Sequence, residues 1–576
     1  MEVIILMILT FVGYYVAYQT YGKYLSTKIF KLSAEHLVPS KAFEDGMDFI
    51  PTKKGIIFGH HYTSIAGTGP IVGPAIGIIW GWVPALLWVF LGSIFMGAVH
   101  DLGSLVLSLR NQGKSLSDYT AKYMNRRVRY IVFSVIYLEL LIIIAIFGLV
   151  IAVIFDMFPQ AVFPVWFEIP IAAVLGWLIY TKSKNVVLST IVAVTLMYTT
   201  VVLGHFIPIH LPPIAGIPPT GIWTIILLIY VFFASTIPVN RLLQPRDFIN
   251  AWQLFIAAGL LVLGVLFSGI AGDLTLVAPA YNPHAVGAPP LLPFLFITIA
   301  CGAISGFHSV VSSGTTSKQV SSEPDALFIG YGSMLMEAVL ATLVIIAVAA
   351  GIGIAYETGD GSLLTGPAAW QEHYQSWSAS QGLGSKVSAV VIGSANMMES
   401  LHIPKALGII IMGVFIASFA GTTMDSATRI QRYVISELFS DLKQKNWGAN
   451  RFMTTAVAVV TAAILAFSTG ANGKGALTLW PLFGAVNQLL AGLALLVLTV
   501  WLRKKRPGLS YLLAGIPAGI ILVMTIWAII LSEGTYLNDG HILLAIINFL
   551  VLLLAVWMLI ESWISIRRPV RSDSPE

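Results

Sequence analysis

The chain has 576 residues, 57% of them hydrophobic and 10% charged, with a mean hydropathy of +0.85. Soluble globular proteins carry about 25% charged residues, so this composition points away from a soluble enzyme and towards a polytopic membrane protein. The net charge of +5 does not indicate a nucleic-acid partner, because the basic residues lie beside apolar spans, and the single cysteine, Cys301, excludes an intrachain disulfide and a cysteine-cluster metal site.

Apolar runs near membrane length predict about 15 spanning segments. Their limits are 2–22, 55–80, 83–108, 130–155, 166–181, 186–206, 220–238, 251–271, 289–316, 326–355, 405–428, 452–469, 478–502, 508–531 and 541–563. The first has Glu2, no basic leader and no cleavage site, and reads as a retained span rather than a signal peptide. Segments 55–80 and 289–316 are interrupted by Gly, Pro, Ser and Thr. Irregular backbone survives at membrane depth only where it is packed in protein or lines a watery cavity.

Positive charge sets the orientation. Arg110, Lys114, Lys122, Arg126, Arg127 and Arg129 crowd one connection. Lys182, Lys184, Arg241, Arg246, Lys318, Arg429, Arg432, Lys443, Lys445, Arg451, the run Arg503–Arg506, and Arg567, Arg568 and Arg571 fall on the same side of a 15-span arrangement. That side is the cytoplasm, which holds the C-terminus, and the N-terminus lies outside. Segment 356–403, with Trp370 and Trp377, is then extracytoplasmic, and its mixed composition fits a lid or an interfacial helix.

Two patterns recur in the same order, about 240 residues apart. Gly-x-His-x5-Gly-Thr occurs at Gly59, His61, Gly67, Thr68 and at Gly306, His308, Gly314, Thr315. Gly-Ser-x-x-Met-x-Ala-Val begins at Gly92 and at Gly332. The orientation puts the copies in antiparallel units, which predicts an all-α, LeuT-type inverted repeat of five plus five helices with additional spans. The organisation is then a first span and loop (1–54), a first repeat (55–206), two inserted helices (207–288), a second repeat (289–502) and two C-terminal helices (503–576).

The candidate substrate site lies between the broken segments, at His61, Ser64, Gly67, Thr68, Gly69, His308, Ser312 and Thr315, with Asn487 from the Leu479–Gly492 stretch. Glycine and proline free backbone carbonyls and amides there, and half-helix N-termini favour a carboxylate. Ionisable groups inside spans are functional candidates by default. Asp101, His100 and Glu337 are the preferred carriers of a proton or cation, and Glu139 is a further acid within a span. Asp425 has Arg429 four residues on, the spacing of a helical ion pair. By analogy with the LeuT architecture, Thr422 and Thr423 are candidate sodium ligands. His60, His61, His100 and Asp101 form a metal alternative without helical ligand spacing. The primary expectation is no metal and no cofactor, with H+ as coupling ion and Na+ as its alternative.

The runs FGHHYTSIAGTGPIVGPAIG and GAVHDLGSLVLSLRNQGKSL, followed by SGFHSVVSSGTTSKQ, TTMDSATR and LWPLFGAVNQLLA, resemble the carbon starvation protein A family from about residue 50 to about 500. The resemblance implies a bacterial inner-membrane uptake carrier for peptides, used in carbon starvation, with pyruvate–proton symport among relatives. An intramembrane metal-dependent enzyme is disfavoured by the lack of a His-Glu-x-x-His or Gly-x-Ser-x-Gly motif. A sensor lacks an output domain of sufficient size, and a primary pump lacks a P-loop. The expected partners are the bilayer and a small carboxylate-bearing substrate.

Overall fold

In a computed structural model, residues 1–182, 185–380, 382–441, 450–506 and 508–567 are described. Of the charges used for orientation, Lys184, Lys443, Lys445, Arg568 and Arg571 lie outside these residues. The described chain is mostly helical, and its strands form one two-stranded hairpin, Tyr356–Glu357 with Leu363–Leu364. Among the described residues, twelve helices are long and apolar enough to cross a membrane, or thirteen if one bent pair counts as a span. The chain is a multi-pass membrane protein.

In chain order the principal helices are α1 (Glu2–Phe30), the bent pair α2 (Lys54–Ala66) and α3 (Gly69–Trp80), α4 (Trp82–Leu109), α5 (Arg126–Met157), α6 (Pro159–Tyr180), α7 (Val186–Phe206), α8 (Pro219–Thr236) and α9 (Leu243–Ala271). Then come the short α10 (Leu291–Thr298) and α11 (Gly306–Gly314), α12 (Glu323–Gly353), α13 (Leu383–Glu399), α14 (Lys405–Phe439), α15 (Arg451–Ala466), α16 (Trp480–Lys505), α17 (Leu512–Asn538) and α18 (Ile542–Arg567).

Burial separates an inner group from an outer one. The most apolar windows of α12 and α14 are 89% buried and that of α16 is 100% buried, whereas those of α1, α6, α7 and α18 are 33% buried. The outer helices carry Leu, Ile, Val and Trp on exposed faces, as lipid contact requires. The inner helices are apolar all round because protein surrounds them. Helix α5 starts where Asn125 accepts from the Arg127 and Val128 amides at 2.9 and 3.0 Å, which caps two orphan donors.

Both interrupted segments are broken. Between α2 and α3 the axis bends by 40° at Gly67–Thr68. Gly67 has φ +23, and a side-chain carbon there would lie 2.6 Å from the Thr423 hydroxyl, so only glycine fits. The second segment is broken more widely. Helices α10 and α11 have 8 and 9 residues, and 299–305 joins them without regular helix. Segment 452–469 is a 16-residue helix, α15, shorter than a full span.

The two copies of Gly-x-His-x5-Gly-Thr do not occupy equivalent places. The first ends at its break, whereas the second begins after its break, on α11. They lie side by side instead: His60 and His61 on α2 bond the Thr315 and Thr316 hydroxyls just past α11. The second pattern is equivalent in position, since Gly92–Ser93 and Gly332–Ser333 each fall in the first half of a long helix beside a π-helical turn.

Several basic residues read as loop charges are internal. Arg246, Arg429 and Arg432 are buried. Asp425 does not pair with Arg429. It bonds Arg246, while Arg429 reaches Asp48 at 3.1 Å and the Ala234 and Ile237 carbonyls at 3.2 and 2.6 Å. Those carbonyls close α8, where the last turn of a helix has no internal donors, and a guanidinium fork satisfies several at once.

Candidate functional site

The predicted residues separate into three buried groups. In the first, Asp101 on α4 bridges two histidines. Its carboxylate oxygens lie 3.0 Å from His100 Nδ1 and 3.1 Å from His308 Nδ1. His308 Nε2 faces Glu337 Oε2 at 3.2 Å, and the Gly302 amide donates to Glu337 Oε1 at 2.9 Å. This chain ties α4, α11 and α12 to the second break, and its side chains are fully buried. Buried ionisable groups in such a setting usually pair with one another or with backbone groups.

The second group surrounds α2. His60 is held by Asp247 at 2.5 Å and by Thr315 at 2.9 Å, with Gln319 near its Nε2. His61 Nδ1 meets Thr316 at 2.9 Å. Ser64 and Ser426 hydroxyls are 2.8 Å apart, and Thr423 donates to the Ser64 carbonyl at 3.2 Å, beside the break. Thr422 turns away and accepts from Asn250 at 2.9 Å, so the two threonine hydroxyls serve different helices. The third group is Arg246 with Asp425, Tyr230 and Glu168.

Two further predicted residues line α11. Asn487 Oδ1 accepts from the Phe307 amide at 3.1 Å and from the Ser305 hydroxyl at 3.0 Å, a side-chain cap for the helix after the break. Ser312 is buried with no hydrogen-bond partner for its hydroxyl.

The metal alternative does not converge. His60 is committed to Asp247 and Thr315, whereas His100 and Asp101 belong to the other group. Among the described residues, the metal-ligating atoms that come together are those of Cys301, His308 and Glu337, within 4.8 Å of one another. That spacing suits one divalent ion or one shared proton. Cys301 was not among the expected site residues, because a lone cysteine forms no metal cluster by itself. Its place beside Gly302, at the interruption of an apolar run, was the available signal. Asp247 and Glu168 were missed as well, although each is an acid within a predicted or nearly predicted span.

A cavity of about 770 Å³ leads to this region. It runs from Trp377, Asp539 and His541 to Thr68, Gly69 and Cys301, so its floor touches both breaks. A side-chain carbon on Gly69 would lie 2.3 Å from the Cys301 sulfur, which fixes how closely the two broken segments approach. Small thiol reagents should therefore label this sole cysteine through the cavity, and Cys301→Ser should abolish labelling. Absence of labelling in folded wild-type protein would mean that the cavity does not reach the breaks in solution.

The chain matches the family profile described as "Carbon starvation protein CstA" over residues 2–528. It is 32% identical to the peptide transporter CstA of Helicobacter pylori, covering 92% of this chain and 81% of that protein. It is 30% identical to the pyruvate/proton symporter BtsT of Escherichia coli, covering 90% and 80%. Among solved structures, MhsT in complex with L-phenylalanine aligns with a TM-score of 0.45 at 13% identity, covering 83% of this chain and 98% of that one. The profile match over nearly the whole helical body places this chain in the carbon starvation protein CstA family.

Proposed function

We propose that the protein is a secondary transporter that imports small peptides by proton-coupled alternating access, and that it is not an enzyme. The observation that carries this reading is the cavity floor. It touches Thr68–Gly69 and Ala300–Cys301, and Cys301 adjoins the His308–Glu337 pair. A solute at the floor is thereby placed against two backbone breaks and a titratable chain, the arrangement a symporter needs. The names of the relatives, transporters of peptides or pyruvate, support the same class.

In this reading α2–α3 and α10–α11 open two inverted units of five helices. Counting α15 and the α10–α11 pair as spans brings the total to about 15. The N-terminus is extracytoplasmic, the C-terminus is cytoplasmic, the membrane is the bacterial inner membrane, and the cavity mouth faces outwards. Asp101, His308 and Glu337 carry the proton, with His100 in support. His61, Ser64, Gly67, Thr68, Gly69, Ser312, Thr315 and Asn487 shape the substrate path around the breaks. Thr423, bonded at the first break, is the better placed of the two candidate sodium ligands.

Pyruvate with a proton is the second reading, and one observation favours it. A peptide brings an ammonium group that needs an acceptor, yet neither Asp101 nor Glu337 lines the cavity; its acid is Asp539 at the rim. Uptake of radiolabelled dipeptide and of pyruvate into proteoliposomes, with and without an imposed proton gradient, tests both. Gradient-driven accumulation of dipeptide supports the first reading and that of pyruvate the second. Accumulation of neither by folded protein, with a proton or a sodium gradient, overturns the transporter assignment for these solutes.

A further inference from the structure

Segment 356–403 contributes a cation to the cavity. Helix α13 carries Lys386, which is 2% exposed. Its ammonium lies 5.2 Å from the centroid of the Trp480 ring, and among the described residues no carboxylate forms an ion pair with it. Trp480 stands beside it, and Trp377, Phe294 and Phe483 add aromatic surface to the same cavity. An aromatic-lined concavity with one oriented polar group is how small organic molecules are held. An ammonium withdrawn from water without an anion is costly, and a carboxylate entering the cavity offsets that cost with a charge-assisted hydrogen bond.

We propose that Lys386, beside Trp480, binds the carboxylate of the transported solute in the cavity before the solute reaches the breaks. The inference rests on the transporter reading and adds to it the specificity-determining residue: the solute must present a carboxylate, and its amide is a poor ligand. Burial pushes the Lys386 ammonium down to about 7. The titratable groups on the same cavity are Asp539, His541, Tyr536 and Cys301; α13 also meets His373 through its bond to Ser385, and Asp156 precedes Met157, which lies near Gly384. Burial alone accounts for the shift. A carboxylate needs the protonated amine, so binding weakens as pH rises through about 7.

The test uses full-length protein in proteoliposomes and measures how much dipeptide or pyruvate half-protects Cys301 from a thiol reagent. Taking a ratio to the unprotected rate at each pH removes the thiol's own titration. The wild-type half-protecting concentration should rise above pH 7. Lys386→Gln should raise it roughly 10- to 100-fold at pH 6, the range for a lost charged hydrogen bond, and abolish its pH dependence. Lys386→Arg should keep protection and extend it to alkaline pH, because arginine stays charged; this variant also separates lost charge from lost fold. The amide of the protecting solute should protect poorly in the wild type. If Lys386→Gln is protected like the wild type while wild-type uptake is intact, the Lys386 inference fails and the transporter reading stands. If wild-type protein neither binds nor accumulates either solute, both fall.

Discussion

Proton-driven accumulation should be lost in Glu337→Gln protein, by on the order of 100-fold, the scale of a positioned proton-transfer group. Solute exchange without a net gradient should persist. Glutamine keeps the shape that accepts from the Gly302 amide, so the second break stays supported. What it removes is the acid facing His308 Nε2. Asp101→Asn should be equally inactive in accumulation and should also disturb exchange, because Asp101 orients His100 and His308 together. A carrier that binds solute but cannot take up the proton exchanges but does not concentrate. Uptake and pH dependence unchanged in both variants would end the assignment of the proton to this chain. Metal analysis of the purified protein is the companion measurement. Stoichiometric divalent metal retained in wild type and lost in Cys301→Ser would reassign Cys301, His308 and Glu337 to an ion.

The largest loss of stability is expected at Arg246. Replacing it by methionine should cost about 3–5 kcal/mol, the usual penalty for removing one partner of a buried ion pair. Arg246 bonds Asp425 and Tyr230, reaches the Ser418 carbonyl at 3.4 Å and lies 3.8 Å from Glu168. Its loss leaves two carboxylates without their cation between α6, α9 and α14. Arg246→Lys should recover only part, since a single ammonium cannot span that fan of acceptors. Thermal unfolding in detergent reads the effect, and an Arg246→Met protein that melts with the wild type would show that the cluster does not hold these helices together. The neighbouring Gly421 enforces the packing, because a side-chain carbon there would lie 2.4 Å from the guanidinium.

Spans were legible because hydrophobic transfer acts on whole segments, and one charged residue does not mask twenty apolar ones. The Asp101, His308 and Glu337 chain was legible for a related reason: each is an ionisable group inside such a run, and burying it demands a partner. Pairing was less legible. Asp425 and Arg429 satisfy the helical spacing rule, yet exposed carbonyls at the end of α8 compete for Arg429, and Arg246 arrives from another helix to claim Asp425. Tertiary contact outweighs a local pair worth a few tenths of a kcal/mol. Lys386 was invisible because segment 356–403 has no hydropathy signature; only folding places it at a cavity. The histidine pattern was over-read. Its two copies fall on opposite sides of their breaks, where α2 and the end of α11 meet.

The Tyr374 hydroxyl donates to the Ala75 carbonyl on α3 at 2.5 Å, and the Trp80 and Trp377 rings are 5.4 Å apart. The connection that carries Lys386 is therefore strapped to α3, the second half of the first broken segment. Leverage follows: a pull on one member is felt by the other, so tilting α3 displaces the cation, and a solute that grips the cation loads the hinge at Gly67.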